Sequence, residues 1–404
     1  MKLIDKYNQS NFLIYIIILI VMSSGHINLN TEFADIRKFF FLIIICFLFI
    51  HFLLVKKIIV PISNPLFLLP FLTSLIFSFF YLVRLNLYHS AGWLFAAFMV
   101  TLIWNLKRNQ IILFFEKYLI LSSILISVGL IILYLTNLDS NNFNYTNPNR
   151  LSIFKVLSNS DSFISIDPIT LKKTFRFSFF LQQSSLVTTY IFLPLIIYSL
   201  FKRPNTYVLI ICSTAIIFSF SSTVYLSIYF GFFIFIIFNF FHKNYKIIFY
   251  LFFIFSIFLG LFSFLIFKME SNYDSLGLEL INYKFIRISS GAYRLEYIGN
   301  QVYFFFTKYF FGFISHNNSM EQFMLGNFFI SSGIKGGFIC LITNFFYIFK
   351  IYKTIILNKK INKFVSSMLL SCILLLTNFQ DFGISSISGF IFFALLAKLL
   401  CSKQ

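Results

Sequence analysis

Six residues that could carry chemistry lie close together in the segment from 268 to 325, between two long apolar stretches. They are Arg287, Arg294, Glu296, His316, Asn317 and Glu321. An arginine guanidinium pairs through two parallel hydrogen bonds with phosphate oxygens. Histidine and carboxylate side chains are the usual bases that take a proton from a hydroxyl group. These residue types suit the transfer of a group away from a phosphate leaving group, so the segment is the strongest candidate for an active site.

Three more basic residues lie within or at the ends of apolar stretches, where a charge is unusual. Arg84 precedes a short turn with His89 nearby, Arg176 opens an apolar stretch, and Lys335 lies inside one, flanked by glycines at 333, 336 and 337. A charge inside a membrane span is costly and indicates function by default. The alternative is structural, since long basic side chains near helix ends also reach out to the lipid headgroups.

Metal and nucleotide chemistry find little support in the sequence. The five histidines show no pair at metal-ligand spacing, and there is no Asp-x-Asp. The one weak contrary signal is Glu32 with Asp35. No glycine-rich phosphate-binding loop occurs either. We therefore predict neither a metal nor any other cofactor.

Composition places the chain in a membrane. Hydrophobic residues make up 59% and charged residues 11%, whereas soluble domains carry roughly 25% charged residues. Spanning a bilayer takes roughly 20 mostly apolar residues. The sequence predicts about twelve such helices, and thus an all-α polytopic protein forming one domain over residues 1–404. The predicted spans are 11–27, 39–55, 65–83, 91–106, 118–135, 177–200, 207–220, 224–241, 247–267, 326–349, 363–379 and 383–400.

Loop charges predict the orientation. With the N-terminus inside, the inner connections carry pairs such as Lys56–Lys57, Lys107–Arg108 and Lys202–Arg203, which is the positive-inside pattern. Both termini are then cytoplasmic, and the long loops 136–176 and 268–325 face outward. The net charge of +19 mainly reflects topology, so we predict no nucleic-acid partner. The five cysteines lie in or at the inner end of spans, and no disulfide framework is implied.

Three pieces in order support a family resemblance. They are SSGAYRLEY (289–297), YFFGFISHNNSMEQFML (309–325) and GNFFISSGIKGG (326–337), with Phe175-Arg176-Phe177 opening the span after the first long loop. An arginine, a glycine-bounded turn and then His-Asn before a glycine-bearing helix resembles the O-antigen polymerase and ligase superfamily. These are integral-membrane glycosyltransferases of the GT-C type. The number of spans and the two long outer loops are also similar to that superfamily.

The resemblance implies a metal-independent polysaccharide repeat-unit polymerase of the bacterial inner membrane. It would move a growing O-antigen or capsule glycan from undecaprenyl diphosphate to the non-reducing end of another lipid-linked repeat unit, with a chain-length regulator as a possible partner. The implied catalytic residues are His316, Arg294 and Arg176. The implied residues for binding the diphosphate or the glycan are Arg287, Arg84, Lys335, Asn317 and Glu296.

Two questions stay open at this level. Either Arg294 or Arg287 can take the place of the family's main-loop arginine. The ligase of the same superfamily, which hands the finished glycan to lipid A core, and a flippase for lipid-linked oligosaccharides remain alternatives. A flippase would place charges along the middle of several spans, whereas here the charges gather at loops and helix ends.

Overall fold

A computed structural model describes most of the predicted membrane region. The described residues are 14–22, 60–83, 87–135, 186–219, 221–240, 301–312, 327–358, 361–379 and 387–401, with a few isolated residues and four short strands between 151 and 179. The longer elements are helices, which confirms the prediction of a helical membrane protein. They are α1 (14–22), α2 (Pro65–Val83), α3 (Leu87–Asn105), α4 (Arg108–Leu135), α5 (Leu193–Ser199), α6 (Thr206–Phe218), α7 (Ser222–Phe240), α8 (301–307), α9 (Phe328–Leu357), α10 (Lys363–Phe379) and α11 (Ile387–Cys401).

Among the described residues, four helical segments are long and apolar enough to cross a membrane. They are Pro65–Val83, Arg108–Ile131, Thr223–Phe240 and Phe328–Leu357. Shorter apolar helices cover Thr188–Ser199, Thr206–Phe218, Lys363–Asn378 and Gly389–Cys401. A helix satisfies its own backbone polar groups, which lipid requires. Some buried hydroxyls bond within their own helix, as when Ser74 Oγ donates to the carbonyl oxygen of Pro70 at 3.0 Å.

The structure also contains short β-strands that the hydropathy pattern did not predict. Short strands at Leu151–Ser152 and Phe177–Phe179 pair in parallel, and those at Ile164–Ile166 and Lys173–Phe175 pair antiparallel. The predicted span at 177–200 is therefore wrong at its start, because its first residues are a strand. A buried π-helical turn at Thr188–Phe192 then leads into α5. The polar run from Gln182 to Ser185 precedes this helix and separates it from the strand.

Two contacts fix how α2, α3 and α11 lie together. The ring of Trp93 on α3 lies 5.7 Å from that of Phe390 on α11, and the Lys398 ammonium lies 5.4 Å from the Trp104 ring. Helices α3 and α11 therefore run parallel. Between α2 and α3, Ser78 Oγ donates to the Ser90 carbonyl at 2.9 Å and Ser90 Oγ donates back to the Ser78 carbonyl at 2.8 Å. Small hydroxyl residues thus let these two helices approach closely.

The pairing of α4 with α6 corrects the predicted alternation. Tyr207 lies beside Ser127, with their oxygens 3.0 Å apart, and Cys212 lies beside Ser123 at 3.6 Å. The two helices are thus antiparallel, whereas strict alternation would make them parallel. The 13 residues of α6 rise only about 20 Å, which is less than the roughly 30 Å of a hydrocarbon core.

Other boundaries agree more closely. The predicted spans 65–83 and 363–379 coincide with α2 and α10, and the polar turn predicted around Ser219–Thr223 does separate α6 from α7. The spans at 91–106 and 118–135 begin earlier than predicted, at Leu87 and Arg108. The predicted spans 39–55 and 247–267 lie outside the described residues, as does most of both long loops.

Candidate functional site

Of the eight predicted site residues, the structure describes Lys335. The other seven lie outside the described residues. They are Arg84, Arg176, Arg287, Arg294, Glu296, His316 and Asn317. The described part of the site is therefore the region around Lys335 on α9.

Helix α9 is broken at Gly337. This residue has φ +76° and ψ −179° inside an otherwise helical run, a conformation that residues with a Cβ rarely adopt. A Cβ at Gly337 would also lie 2.9 Å from the Phe311 carbonyl carbon. The break frees the amide of Phe338, which donates instead to the carbonyl oxygen of Phe310 at 2.9 Å. Only glycine fits both the backbone conformation and the close approach of the 310–312 turn.

The two arms of α9, residues 328–336 and 338–357, fold back against each other. A Cβ built on Gly333 would lie 3.2 Å from Leu341 Cβ, and the rings of Phe329 and Phe345 are 5.6 Å apart. Both pairs are placed symmetrically about Gly337. The predicted span at 326–349 coincides with an apolar helical segment, but it is not one straight helix, because it folds back at Gly337. The sequence signal was the Gly-Ile-Lys-Gly-Gly run, which hydropathy averaging does not detect.

Side-chain amides anchor the base of the hairpin. Asn327 caps the first arm, since its Oδ1 accepts from the amides of Phe329 and Ile330 at 2.9 and 3.2 Å. Its Nδ2 donates to Asn378 Oδ1 on α10 at 3.1 Å, and its own backbone amide donates to Gln301 Oε1 on α8 at 3.2 Å. Because all three side chains are buried, this network fixes where the first arm starts.

Lys335 lies in the last turn of the first arm and is 7% exposed. A cation there interacts favourably with the free carbonyls at the end of that arm. It also lies within electrostatic range of His89 on α3, whose ring stacks on Tyr81 of α2 with centroids 5.2 Å apart. The structure thus brings together Lys335 and the histidine that the sequence placed near Arg84.

A polar face leads along the first arm to Lys335. Asn327, Ser331 and Lys335 are spaced four residues apart and share one side of the helix, and each is at most 7% exposed. Ser331 Oγ has no hydrogen-bond partner, nor do the side-chain amide of Asn344 and the Tyr347 hydroxyl on the second arm. Buried polar groups without partners are costly in an apolar medium. The hairpin therefore contains buried polar groups that its own hydrogen bonds do not satisfy.

An apolar groove of about 450 Å³ adjoins the hairpin tip. Its walls are α2 residues between Leu75 and Phe80, the turn at Phe310–Phe311 and the tip residues 336–339. Phe79, Phe311 and Ile339 are each at least 60% exposed. The groove falls within the roughly 300–1,000 Å³ of ligand sites, and its lining suits a hydrocarbon chain.

Within the described residues, no group of three or more His, Cys, Asp or Glu side chains could hold a metal ion. The described cysteines 212, 340, 372 and 401 are free thiols. The chemistry available at the hairpin tip is thus that of a buried cation, an imidazole and an apolar groove.

No protein-family model, curated protein or solved structure matches this chain. The case for a function rests on its own residues.

Proposed function

We propose that this protein is a polysaccharide repeat-unit polymerase, a membrane glycosyltransferase whose donor is a glycan on a polyprenyl diphosphate. The observation that carries the proposal is the buried Lys335 at the tip of the α9 hairpin, beside an apolar groove. A lipid-linked donor joins the two chemistries found there, because it has an anionic diphosphate on a hydrocarbon chain. A soluble nucleotide-sugar donor would need no such groove.

In the proposed reaction, the bond between the donor sugar's anomeric carbon and the diphosphate oxygen breaks. The acceptor hydroxyl forms a new bond to that carbon, and its proton passes to a base. The electron pair leaves with the diphosphate, so negative charge develops there. Fixed cations placed at a leaving group are often the largest contribution to catalysis.

We assign the diphosphate to Lys335 together with arginines of the outer segments. Lys335 contributes a point charge, whereas Arg294, Arg287, Arg176 and Arg84 would contribute planar donor forks. His316 is the proposed base, with Asn317 and Glu296 contacting the glycan. The chain's cations can balance the diphosphate charge, which is why we propose a metal-independent reaction.

The groove would hold the first isoprene units of the donor's polyprenyl chain. Its exposed phenylalanines give rings against which branched hydrocarbon packs, and no described charge lines it. A carrier seated there would present its diphosphate to the hairpin tip.

Deletion of the gene in its host tests the proposal. We expect surface glycan to shift from long chains to single repeat units, and plasmid expression to restore the long chains. Loss of even the single-repeat band would contradict polymerisation and favour a ligase or a flippase. Synthesis of polymer from purified lipid-linked repeat units in proteoliposomes containing only this protein is the direct measurement.

A further inference from the structure

A second basic cluster lies away from the hairpin, where α4 begins and α5 connects to α6. Lys107 and Arg108 start α4, and Lys202 and Arg203 lie in the connection 200–205. Glu116 on α4 is the only acidic residue among those the structure describes. Lys117 follows Glu116 on α4, so five positive charges less one negative charge leave this end at +4.

Arg108 links the two segments but has spare donor capacity. Its guanidinium carbon lies 5.4 Å from the centre of the Phe201 ring, so the ring holds the group in place by a cation–π contact. The Arg108 Nε atom is buried and has no hydrogen-bond partner. An unpaired donor on a charged group is costly, and the cation–π contact does not satisfy it.

The one described carboxylate is already engaged. Glu116 Oε2 accepts a hydrogen bond from Lys202 Nζ at 2.9 Å. This hydrogen bond raises the pKa of Lys202, which keeps the ammonium charged. Lys107, Arg108 and Arg203 therefore have no described carboxylate within ion-pair distance.

The surroundings indicate that an anion would arrive from the bilayer. Farther along the chain from Arg203, Tyr207 and Ile210 of α6 are 51% and 57% exposed, which is typical of a lipid-facing surface. Basic pockets between helix ends bind the headgroups of anionic phospholipids. The orientation of the protein in the membrane explains why this end carries several positive charges, since the positive-inside rule needs only Lys and Arg near the membrane surface. It does not account for a buried guanidinium nitrogen without an acceptor.

We infer that this cluster is a binding site for the phosphate headgroup of an anionic membrane phospholipid. The phosphodiester oxygens accept from the Arg108 guanidinium, Lys107 and Arg203 of the same two segments add positive charge, and the acyl chains extend into the bilayer. Such a lipid holds the start of α4 to the connection between α5 and α6. The site is independent of the polymerase proposal and would exist in any membrane protein with these residues.

The test is native mass spectrometry of the purified full-length chain, titrated with phosphatidylglycerol in neutral detergent. The double variant Arg108→Gln/Arg203→Gln should bind this lipid roughly thirtyfold more weakly, because each basic residue at a membrane surface contributes roughly a fivefold factor. The matched control is Lys350→Gln/Lys353→Gln, which removes two charges near the end of α9. It should bind as the unmodified chain does.

Two comparisons identify the source of the phosphate. Phosphatidylcholine should bind the unmodified chain and the double variant equally. Inorganic phosphate at millimolar concentration should leave the bound phosphatidylglycerol in place. Displacement by inorganic phosphate, or equal weakening in the control variant, would overturn the inference.

Single variants test the site if the double variant does not fold, and the exposed Arg203 is the first position to change. Arg203→Gln alone should elute as a single species in size-exclusion chromatography and bind phosphatidylglycerol roughly fivefold more weakly. Arg108→Lys keeps the charge but loses Nε and the planar fork, and should also bind more weakly. Unchanged binding in both single variants contradicts the site.

Discussion

Phe329 and Phe345 lie against each other across the bend at Gly337, with ring centroids 5.6 Å apart. In a straight helix their sixteen-residue separation would place them about 24 Å apart. The contact exists because Gly337 takes a left-handed φ of +76° and the 310–312 turn receives the amide that the break exposes. This hairpin positions the buried Lys335. The bend in α9 can be tested by cross-linking and by thermal unfolding, without an activity assay.

A cysteine pair across the bend should form a disulfide. A Cβ at Gly333 would lie 3.2 Å from Leu341 Cβ, close to the roughly 3.5–4.5 Å found in disulfides. We expect Gly333→Cys/Leu341→Cys, in a chain whose five native cysteines are replaced by alanine, to cross-link under mild oxidation. A mobility shift after cleavage between the two positions, or mass spectrometry of the linked peptide, measures this.

The control pair has the same sequence separation on the second arm. Leu341→Cys/Phe349→Cys places the thiols about 12 Å apart along a regular helix, which is beyond disulfide reach. Equal cross-linking in both pairs, or none across the bend, would mean that α9 is not folded as described.

Gly337→Ala should destabilise the protein. The new methyl group meets the Phe311 backbone at 2.9 and 3.0 Å, and the φ of +76° is unfavourable for alanine. A strained position of this kind costs roughly 1–3 kcal/mol, so the thermal unfolding midpoint in detergent should fall. Ile339→Ala, at a side chain that is 66% exposed, is the control and should unfold within a degree or two of the unmodified chain.

The sequence predicted the fold where hydropathy and turn residues agree, and missed it where backbone geometry decides. The spans 65–83 and 363–379 are uninterrupted apolar runs with clear ends, so their boundaries are correct. The sequence did not predict the hairpin because Phe328–Leu357 has a high mean hydropathy, and an average over a window does not detect the φ of one residue. Lys335 was recognised from its charge in an apolar run, but its proximity to His89 depends on the fold-back. The unpaired Arg108 Nε could not be predicted, since it depends on which side chains surround it.

Lys335 should matter for activity more than for folding. Lys335→Met keeps the length and most of the volume of the side chain but removes its charge. If the charge stabilises a leaving diphosphate, polymer yield should fall about ten- to a hundredfold, while the protein reaches the membrane at normal level. Lys350→Gln, which removes a charge from the far part of the second arm, should leave polymer length unchanged. Normal polymer from Lys335→Met would exclude the hairpin tip from the site.

Polymer synthesis in proteoliposomes should survive EDTA. The sequence offers surplus arginine in its predicted outer segments, no histidine pair at ligand spacing and no Asp-x-Asp. Guanidinium groups can balance the developing charge of the diphosphate without a cation. Complete loss on chelation, restored by magnesium or manganese, would move the site to Glu32 and Asp35.

Arg294 and His316 should be separable by their roles. If Arg294 binds the diphosphate, Arg294→Lys should fail nearly as badly as Arg294→Ala, because an ammonium cannot reproduce the bidentate fork. The loss of a charge-assisted contact in a water-poor site costs on the order of 3 kcal/mol, or roughly a hundredfold in rate.

If His316 is the base, His316→Ala should lose a factor of about 10²–10⁴ while the donor still binds. The activity of the unmodified protein should then fall as the pH drops through the range in which histidine takes up a proton, because a protonated imidazole cannot accept the hydroxyl proton. Polymer length and yield are compared among variants that reach the membrane at equal level on a blot. Near-normal polymer from both alanine variants would remove these two residues from the mechanism and leave Lys335 and the remaining arginines to account for any activity.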